Sequence, residues 1–315
     1  MSTWSEQDIP DQSGRTALIT GANSGLGLRA AQVLAAHGAR VLLACRSADR
    51  GATAVRTVTD AVPAAKAELV LLDLADLRSV RAAAEQVRAL TGDGLDILVN
   101  NAGVMMTPKR TTADGFELQF GTNHLGHAAL TWLLMPALRT RPGARVVTLS
   151  STAARTGKVD VTDLNFEHRL YLPMSAYGQA KLANLLFAME LDRRARKADL
   201  DLVSVAAHPG YTATKLVSNM AGSREAGPMA SVIEFFGELG SRYVAQGVPA
   251  GTQPLLFAAT SPDVRGGDYY GPDGMFEIRG GPGRAHFPRL ANNTELAAQL
   301  WDRTAELTNV APDPA

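Results

Sequence analysis

Short, almost wholly apolar runs recur along this chain and are separated by segments of helical spacing. They fall at residues 15–20 (RTALIT), 40–44 (RVLLA), 68–72, 95–100 (LDILVN), 145–150 (RVVTLS) and 201–207 (DLVSVAA). A strand with one face in water alternates polar and apolar residues; one that is apolar throughout must be covered on both faces. Helical patterns fill the intervals at residues 25–37, 48–61, 77–90, 115–138 and 175–197. Strands that return through helices run parallel, and right-handed crossovers place helices on both sides of the sheet. The expected fold is a single doubly wound parallel α/β sheet in three layers.

The strand pattern stops after residue 210. Residues 211–247 hold scattered Gly, Ser and Met with one apolar helical patch at 232–239, and read as an insertion that serves as a substrate lid. Residues 266–315 are rich in Gly and Pro, with one helix expected at 295–307, and read as peripheral. Residues 1–14 carry Glu6, Asp8 and Asp11 without an apolar core, which marks an N-terminal extension and not a secretory leader. Residues 15–315 are expected to form one catalytic domain.

Charge narrows the classes of partner. Lys and Arg number 31, as do Asp and Glu, so nothing favours nucleic acid or an anionic membrane. The single cysteine, Cys45, excludes an internal disulfide and fits a reducing compartment. The longest apolar run, residues 126–138, is too short to span a bilayer. A cytoplasmic protein without an integral membrane segment is expected. His124, His127 and His208 are too scattered for a ligand set, so no metal is expected, and His37 and His168 read as surface. The apolar stretches 128–138 and 182–191 are broad for helices with one buried face. Packing in a homo-oligomer and burial against the sheet explain them equally well.

Thr20-Gly21-Ala22-Asn23-Ser24-Gly25-Leu26-Gly27 joins the first strand to the first helix. Such a turn presents free backbone N–H groups and a helix N-terminus to a phosphate. Gly21 permits the turn, Gly25 lets the backbone approach a pyrophosphate, and Gly27 allows the helix to lie close on the sheet. The spacing is G-x-x-x-G-x-G. At the end of the second strand, where an NAD site usually carries an acid, stand Cys45, Arg46 and Ser47. Arg46 can pair with a 2′-phosphate, and Ser47 can add a hydrogen bond. NADP is therefore expected over NAD.

Tyr177 and Lys181 lie four residues apart in an apolar helical stretch (Y-G-Q-A-K). Four residues place them on one helix face about a turn apart. A cation about 4 Å from a phenol at an effective dielectric near 20 lowers its pKa by up to ~3 units. The expectation is a tyrosine able to exchange protons near neutral pH.

These motifs, in this order, resemble the short-chain dehydrogenase/reductase family over residues 15–214. The stretches V-L-L-A-C-R, T-N-H-L-G-H and A-K-L-A-N-L-L-F are most similar to its retinol dehydrogenase and protochlorophyllide-reductase-like branch. The resemblance implies a Rossmann-type sheet and a hydride transfer between NADP(H) and a small-molecule carbonyl or alcohol. It implies a catalytic set of Asn123, Ser151, Tyr177 and Lys181, with Ser150 the rival to Ser151. Asp73 and Leu74 would contact the adenine, and Asn101, Ala102 and Gly103, with Asn100, would support the sheet beside the cofactor. Pro209, Gly210 and Thr214 would hold the carboxamide. Asn23, Ser24 and Leu26 complete the phosphate turn.

On that reading Tyr177 donates or takes the proton, Ser151 bonds the reacting oxygen, Lys181 acidifies Tyr177 and holds ribose, and Asn123 holds a water that relays protons. Met105, Met106, Tyr171, Leu172, Met174 and Phe235 would give an apolar substrate pocket. The competing expectation is a redox sensor or scaffold that binds NADP(H) without catalysis. An epimerase or dehydratase would require a larger C-terminal domain and a G-x-x-G-x-x-G turn, and neither is present.

Overall fold

The structure, a computed structural model, describes residues 4–211 and 246–315. The expected substrate lid, its helical patch, Thr214 and Phe235 lie outside the described residues.

Six strands appear within two residues of the expected positions: β1 Thr16–Thr20, β2 Arg40–Cys45, β3 Ala67–Leu71, β4 Ile97–Asn100, β5 Ala144–Leu149 and β6 Leu202–Ala207. Between them run α1 Gly25–Ala36, α2 Ala48–Ala61 and α3 Leu77–Thr91. The one-turn α4 Leu118–Phe120, then α5 Gly126–Leu138 and α6 Pro173–Lys197, follow. β1 is buried on both sides. Ala17 and Ile19 face a core shared with α1, while Leu18 faces a core shared with α3 and α5. That two-sided cover is why the strand sequences show no alternation.

The C-terminal third departs from expectation. A helix, α7 Val248–Thr260, packs under the sheet, and two further strands, β7 Tyr269–Pro272 and β8 Pro282–Arg284, extend it. The strand order is β3-β2-β1-β4-β5-β6-β7-β8, parallel except for the β7–β8 pair. The segment read as peripheral thus supplies buried sheet. Its strands are short and carry the Gly and Pro residues that usually mark turns. They are set by long-range pairing of Ala206 with Tyr269 and of Ala207 with Tyr270.

Two other expectations need correction. The helix read over residues 115–138 begins at Leu118 and passes through a wide π turn, Gly121–Leu125, before α5. The last helix, α8 Thr294–Thr308, is no loose appendage either. Its Trp301 is buried, with ring centroids 4.9 Å from Trp132 of α5 and 5.3 Å from Phe187 of α6. The apolar breadth of α5 and α6 is therefore covered within the chain. Among the described residues no helix is long and apolar enough to cross a membrane.

The strand order reverses direction at β1 and β4, and a crevice opens there at the carboxyl ends of the strands. The candidate site occupies it.

Candidate active site

The turn after β1 folds as its glycines require. Gly21 has φ +67°, a left-handed conformation that costs glycine little. A Cβ on Gly27 would stand 2.6 Å from the Gly21 carbonyl oxygen and 2.7 Å from Asn101 Nδ2, so no larger residue fits there. Ser24 starts α1 but its hydroxyl makes no capping hydrogen bond, and the first turn carries no acid. The helix N-terminus thus keeps its positive end open toward the cleft.

Thr20 locks this turn to the next. Its Oγ1 accepts from the N–H groups of Asn101 and Ala102, each at 2.9 Å, while Asn101 Nδ2 donates to the Thr20 carbonyl at 2.7 Å. His127 joins from below: Nε2 lies 2.8 Å from Thr20 Oγ1 and Nδ1 lies 2.9 Å from the Asn123 carbonyl. A carbonyl only accepts, so Nδ1 carries the proton and Nε2 takes the Thr20 hydroxyl hydrogen. Burial pushes the His127 pKa from 6.5 down to about 4, and that of buried His124 to about 3.

Between these folded values and the ordinary one, the unfolded chain binds more protons. The stability due to two neutral buried imidazoles is therefore full above pH ~6.5 and is lost as pH falls through 4. Wild-type Tm should fall more steeply between pH 6.5 and 4 than that of His127→Gln, followed by circular dichroism; parallel curves would contradict the assignment.

A cleft of about 290 Å³ runs from this turn to α6. Its walls hold Gly21, Asn23, Ser24, Gly25, Leu26 and Gly27 at one side, and Arg46, Ser47, Asp73 and Leu74 beside them. Asn101, Ala102, Gly103, Tyr177, Lys181 and Pro209 line the remainder. Gly210 is not on the wall: with φ +64° it sits behind, donating its N–H to His208 Nδ1. Sequence reasoning missed Arg50, which lines the cleft and belongs to no motif; Val104, expected at the substrate pocket, and Thr122, the first residue of the T-N-H-L-G-H stretch, line it too. Arg46 and Arg50 are exposed on its rim, and neither guanidinium has a hydrogen-bond or ion-pair partner among the described residues. Ser47 uses its hydroxyl to cap α2. Burial raises the Cys45 thiol to about 11, so it stays protonated.

At the inner end, the Ser151 side chain stands near the Tyr177 phenol and favours its ionised form. Ser150 lines the cleft, but its hydroxyl is committed: Oγ donates to the Lys181 carbonyl at 2.7 Å. The Lys181 ammonium lies 5.8 Å from the centroid of the Tyr177 ring and donates to the Leu149 carbonyl at 3.1 Å.

The expected acidification of Tyr177 by Lys181 is not found in this pocket. Burial pushes the phenol up to about 12 and pulls the ammonium down to about 8, because both charged forms lose water and they do not touch each other. At pH 7 both groups hold their protons. Asn123 sits in the π turn with its side chain fastened to Val104: Oδ1 accepts from Val104 N at 2.8 Å, and Nδ2 donates to the Val104 carbonyl at 2.9 Å. Such turns recur at functional sites.

The expected apolar pocket is mixed. Leu172 and Met174 are half exposed, but the Tyr171 hydroxyl donates to the Thr107 carbonyl at 2.9 Å and approaches Glu117 at 3.1 Å. It braces the loop after β4.

The sequence profile of the short chain dehydrogenase family matches residues 15–225. Mouse retinol dehydrogenase 12 is 44% identical over 206 residues, covering 65% of this chain and 64% of that protein. Mouse polyprenol dehydrogenase is 38% identical over 307 residues, covering 95% of this chain and 85% of that protein. The crystal structure of an uncharacterised protein from Mycobacterium paratuberculosis superposes with a TM-score of 0.79 at 39% identity, covering 98% of each chain.

Proposed function

The chain belongs to the short-chain dehydrogenase/reductase family of oxidoreductases, and from that premise we propose that it interconverts a carbonyl and an alcohol with NADP(H), on a lipophilic substrate. The observation that carries this reading is that Tyr177 and Lys181 line one cleft, with the Ser151 side chain near enough to the Tyr177 phenol to favour its ionised form.

The cleft fits a dinucleotide. Its glycine cradle and uncapped helix start suit a pyrophosphate, and Lys181 with Pro209 would border the nicotinamide end. Arg46 and Arg50 would hold a 2′-phosphate, since both are without a carboxylate partner among the described residues. When bound, the nicotinamide group supplies or accepts the hydride.

Tyr177, protonated at pH 7, gives its proton to the substrate oxygen during reduction. Ser151 donates to the same oxygen as negative charge gathers on it. Lys181 keeps a positive charge at the cleft floor at neutral pH. The Asn123 side chain, fully engaged with Val104, keeps the floor of the cleft in place. A lipophilic substrate agrees with half-exposed Leu172 and Met174 and with relatives named for retinol and polyprenol.

The two adjacent serines give a direct test. Ser151→Ala should lower kcat by about 10²-fold, the scale of one lost oxyanion donor, while Ser150→Ala should retain most of it. Equal losses, or the reverse order, would contradict the assignment.

A further inference from the structure

A second cluster of charge lies beyond Ser151, at the carboxyl ends of β6 and β7. A cavity of about 440 Å³ is walled there by Arg155, Glu277 and His286. Glu277 is at its centre and is 6% exposed. Its Oε2 forms an ion pair with Arg155 Nη2 at 2.6 Å and accepts from His208 Nε2 at 2.9 Å. Its Oε1 accepts from the His286 backbone N–H at 2.8 Å and lies 2.6 Å from His286 Nδ1. Phe276 and Glu277 both have φ of 56°, a conformation non-glycine residues keep only where their surroundings impose it.

His208 is the link to the cleft. Its side chain is wholly buried, and the absence of a Cβ on Gly271 makes room for it, since one would stand 1.9 Å from Nε2. Its Nδ1 accepts the N–H of Gly210 at 3.2 Å. An N–H facing Nδ1 requires that nitrogen to be unprotonated, so the ring proton is on Nε2, aimed at the carboxylate. The next residue after His208, Pro209, lines the cleft. Tyr211 N donates to the Ile278 carbonyl at 3.0 Å, so both ends of the 208–211 turn hang from residues 277–278.

We propose that Glu277 is a positioning residue for the nicotinamide end of the cleft: acting through His208 it fixes the Pro209–Gly210 turn, and through Arg155 it ties that turn to the segment carrying Ser151. The inference rests on reading the cleft as a nicotinamide-nucleotide site. Outer hydrogen-bond partners of this kind fix a histidine's tautomer and ring orientation. The role suits a carboxylate, because it must pair with the Arg155 charge while accepting from His208 and His286. Its hydrogen bonds to the two histidines hold it well below the usual carboxylate range, at about 2, in spite of burial. A glutamine of the same size presents an N–H₂ to donors it cannot accept from.

In Glu277→Gln, hydrogen exchange of backbone 208–211 in the free protein should accelerate about tenfold. The Kd and KM for NADPH should rise about tenfold, with kcat at saturating NADPH changed less than threefold. In His208→Asn the shorter amide keeps an acceptor for Gly210 N–H but cannot reach Glu277. In that background Glu277→Gln should add less than twofold to the NADPH Kd.

A lower Tm with unchanged exchange at 208–211 and unchanged NADPH Kd would overturn the proposal, as would two substitutions whose effects on Kd simply multiply. Should Glu277→Gln not accumulate folded, His208→Asn alone carries the same readouts. A wild type that binds neither NADPH nor NADH would instead overturn the reading of the cleft, and this inference with it.

Discussion

Tyr177→Phe should lower kcat by about 10²–10⁴-fold, the range for loss of a positioned general acid, with the Kd for NADPH within twofold of wild type. The ring stays, so the packing of α6 on the cleft stays; only the hydroxyl near Ser151 is removed. The free protein holds this phenol protonated far above pH 7, since burial carries it to about 12. It therefore stands ready as a proton donor for carbonyl reduction. Alcohol oxidation needs the phenolate, which positive charge in the cleft must stabilise.

Lys181 is the positive charge already present, and it loses its proton near pH 8. Because kcat/KM reports the free enzyme, kcat/KM for NADPH should hold level from pH 6 to about 8 and fall above it. Lys181→Met should abolish that break. Retained turnover in Tyr177→Phe would remove the proton-transfer role altogether.

Arg46→Asp should shift the NADPH-to-NADH preference by about 10²–10³-fold toward NADH, read as the ratio of kcat/KM values. A charge-assisted hydrogen bond contributes roughly 1.5–3 kcal/mol, and 1.4 kcal/mol is a factor of ten. Loss of one bidentate pair thus gives roughly 10–100-fold, and the introduced carboxylate adds repulsion against a phosphate while accepting from a ribose hydroxyl. Arg50, on the same rim, limits the shift if left in place. Combining Arg46→Asp with Arg50→Gln should extend it. An unchanged ratio in the double variant would contradict the placement of the 2′-phosphate.

The parallel half of the fold was readable because its strands are buried on both faces and its helices start and stop at local signals. Ser47 and Asp76 cap α2 and α3, and Gly92 ends α3 in a left-handed conformation. β7 was not readable, because Tyr-Tyr-Gly-Pro has no strand signature and owes its conformation to pairing with β6. α7 was hidden by Pro249 and Pro254, although a proline in the first turn costs a helix nothing. The π turn at Gly121–Leu125 leaves no periodic trace in thirteen following residues of near-complete burial.

At the site, the turn after β1 and the Tyr177–Lys181 pair follow from spacing alone. The protonation of Tyr177 does not, because a four-residue interval sets a helix face and says nothing of the water lost on burial. Glu277 belongs to no motif, and only the folded chain brings it to His208, 69 residues away in sequence.

The most direct measurement of the central claim is carbonyl-dependent loss of NADPH absorbance, recorded at pH 7 with a panel of lipophilic aldehydes and ketones, with Tyr177→Phe as the blank. The account predicts turnover by the wild type, none above background by the variant, and equal NADPH binding by both. Tight NADPH binding by the wild type without oxidation by any carbonyl would contradict it and would leave a nucleotide-binding protein that performs no hydride transfer.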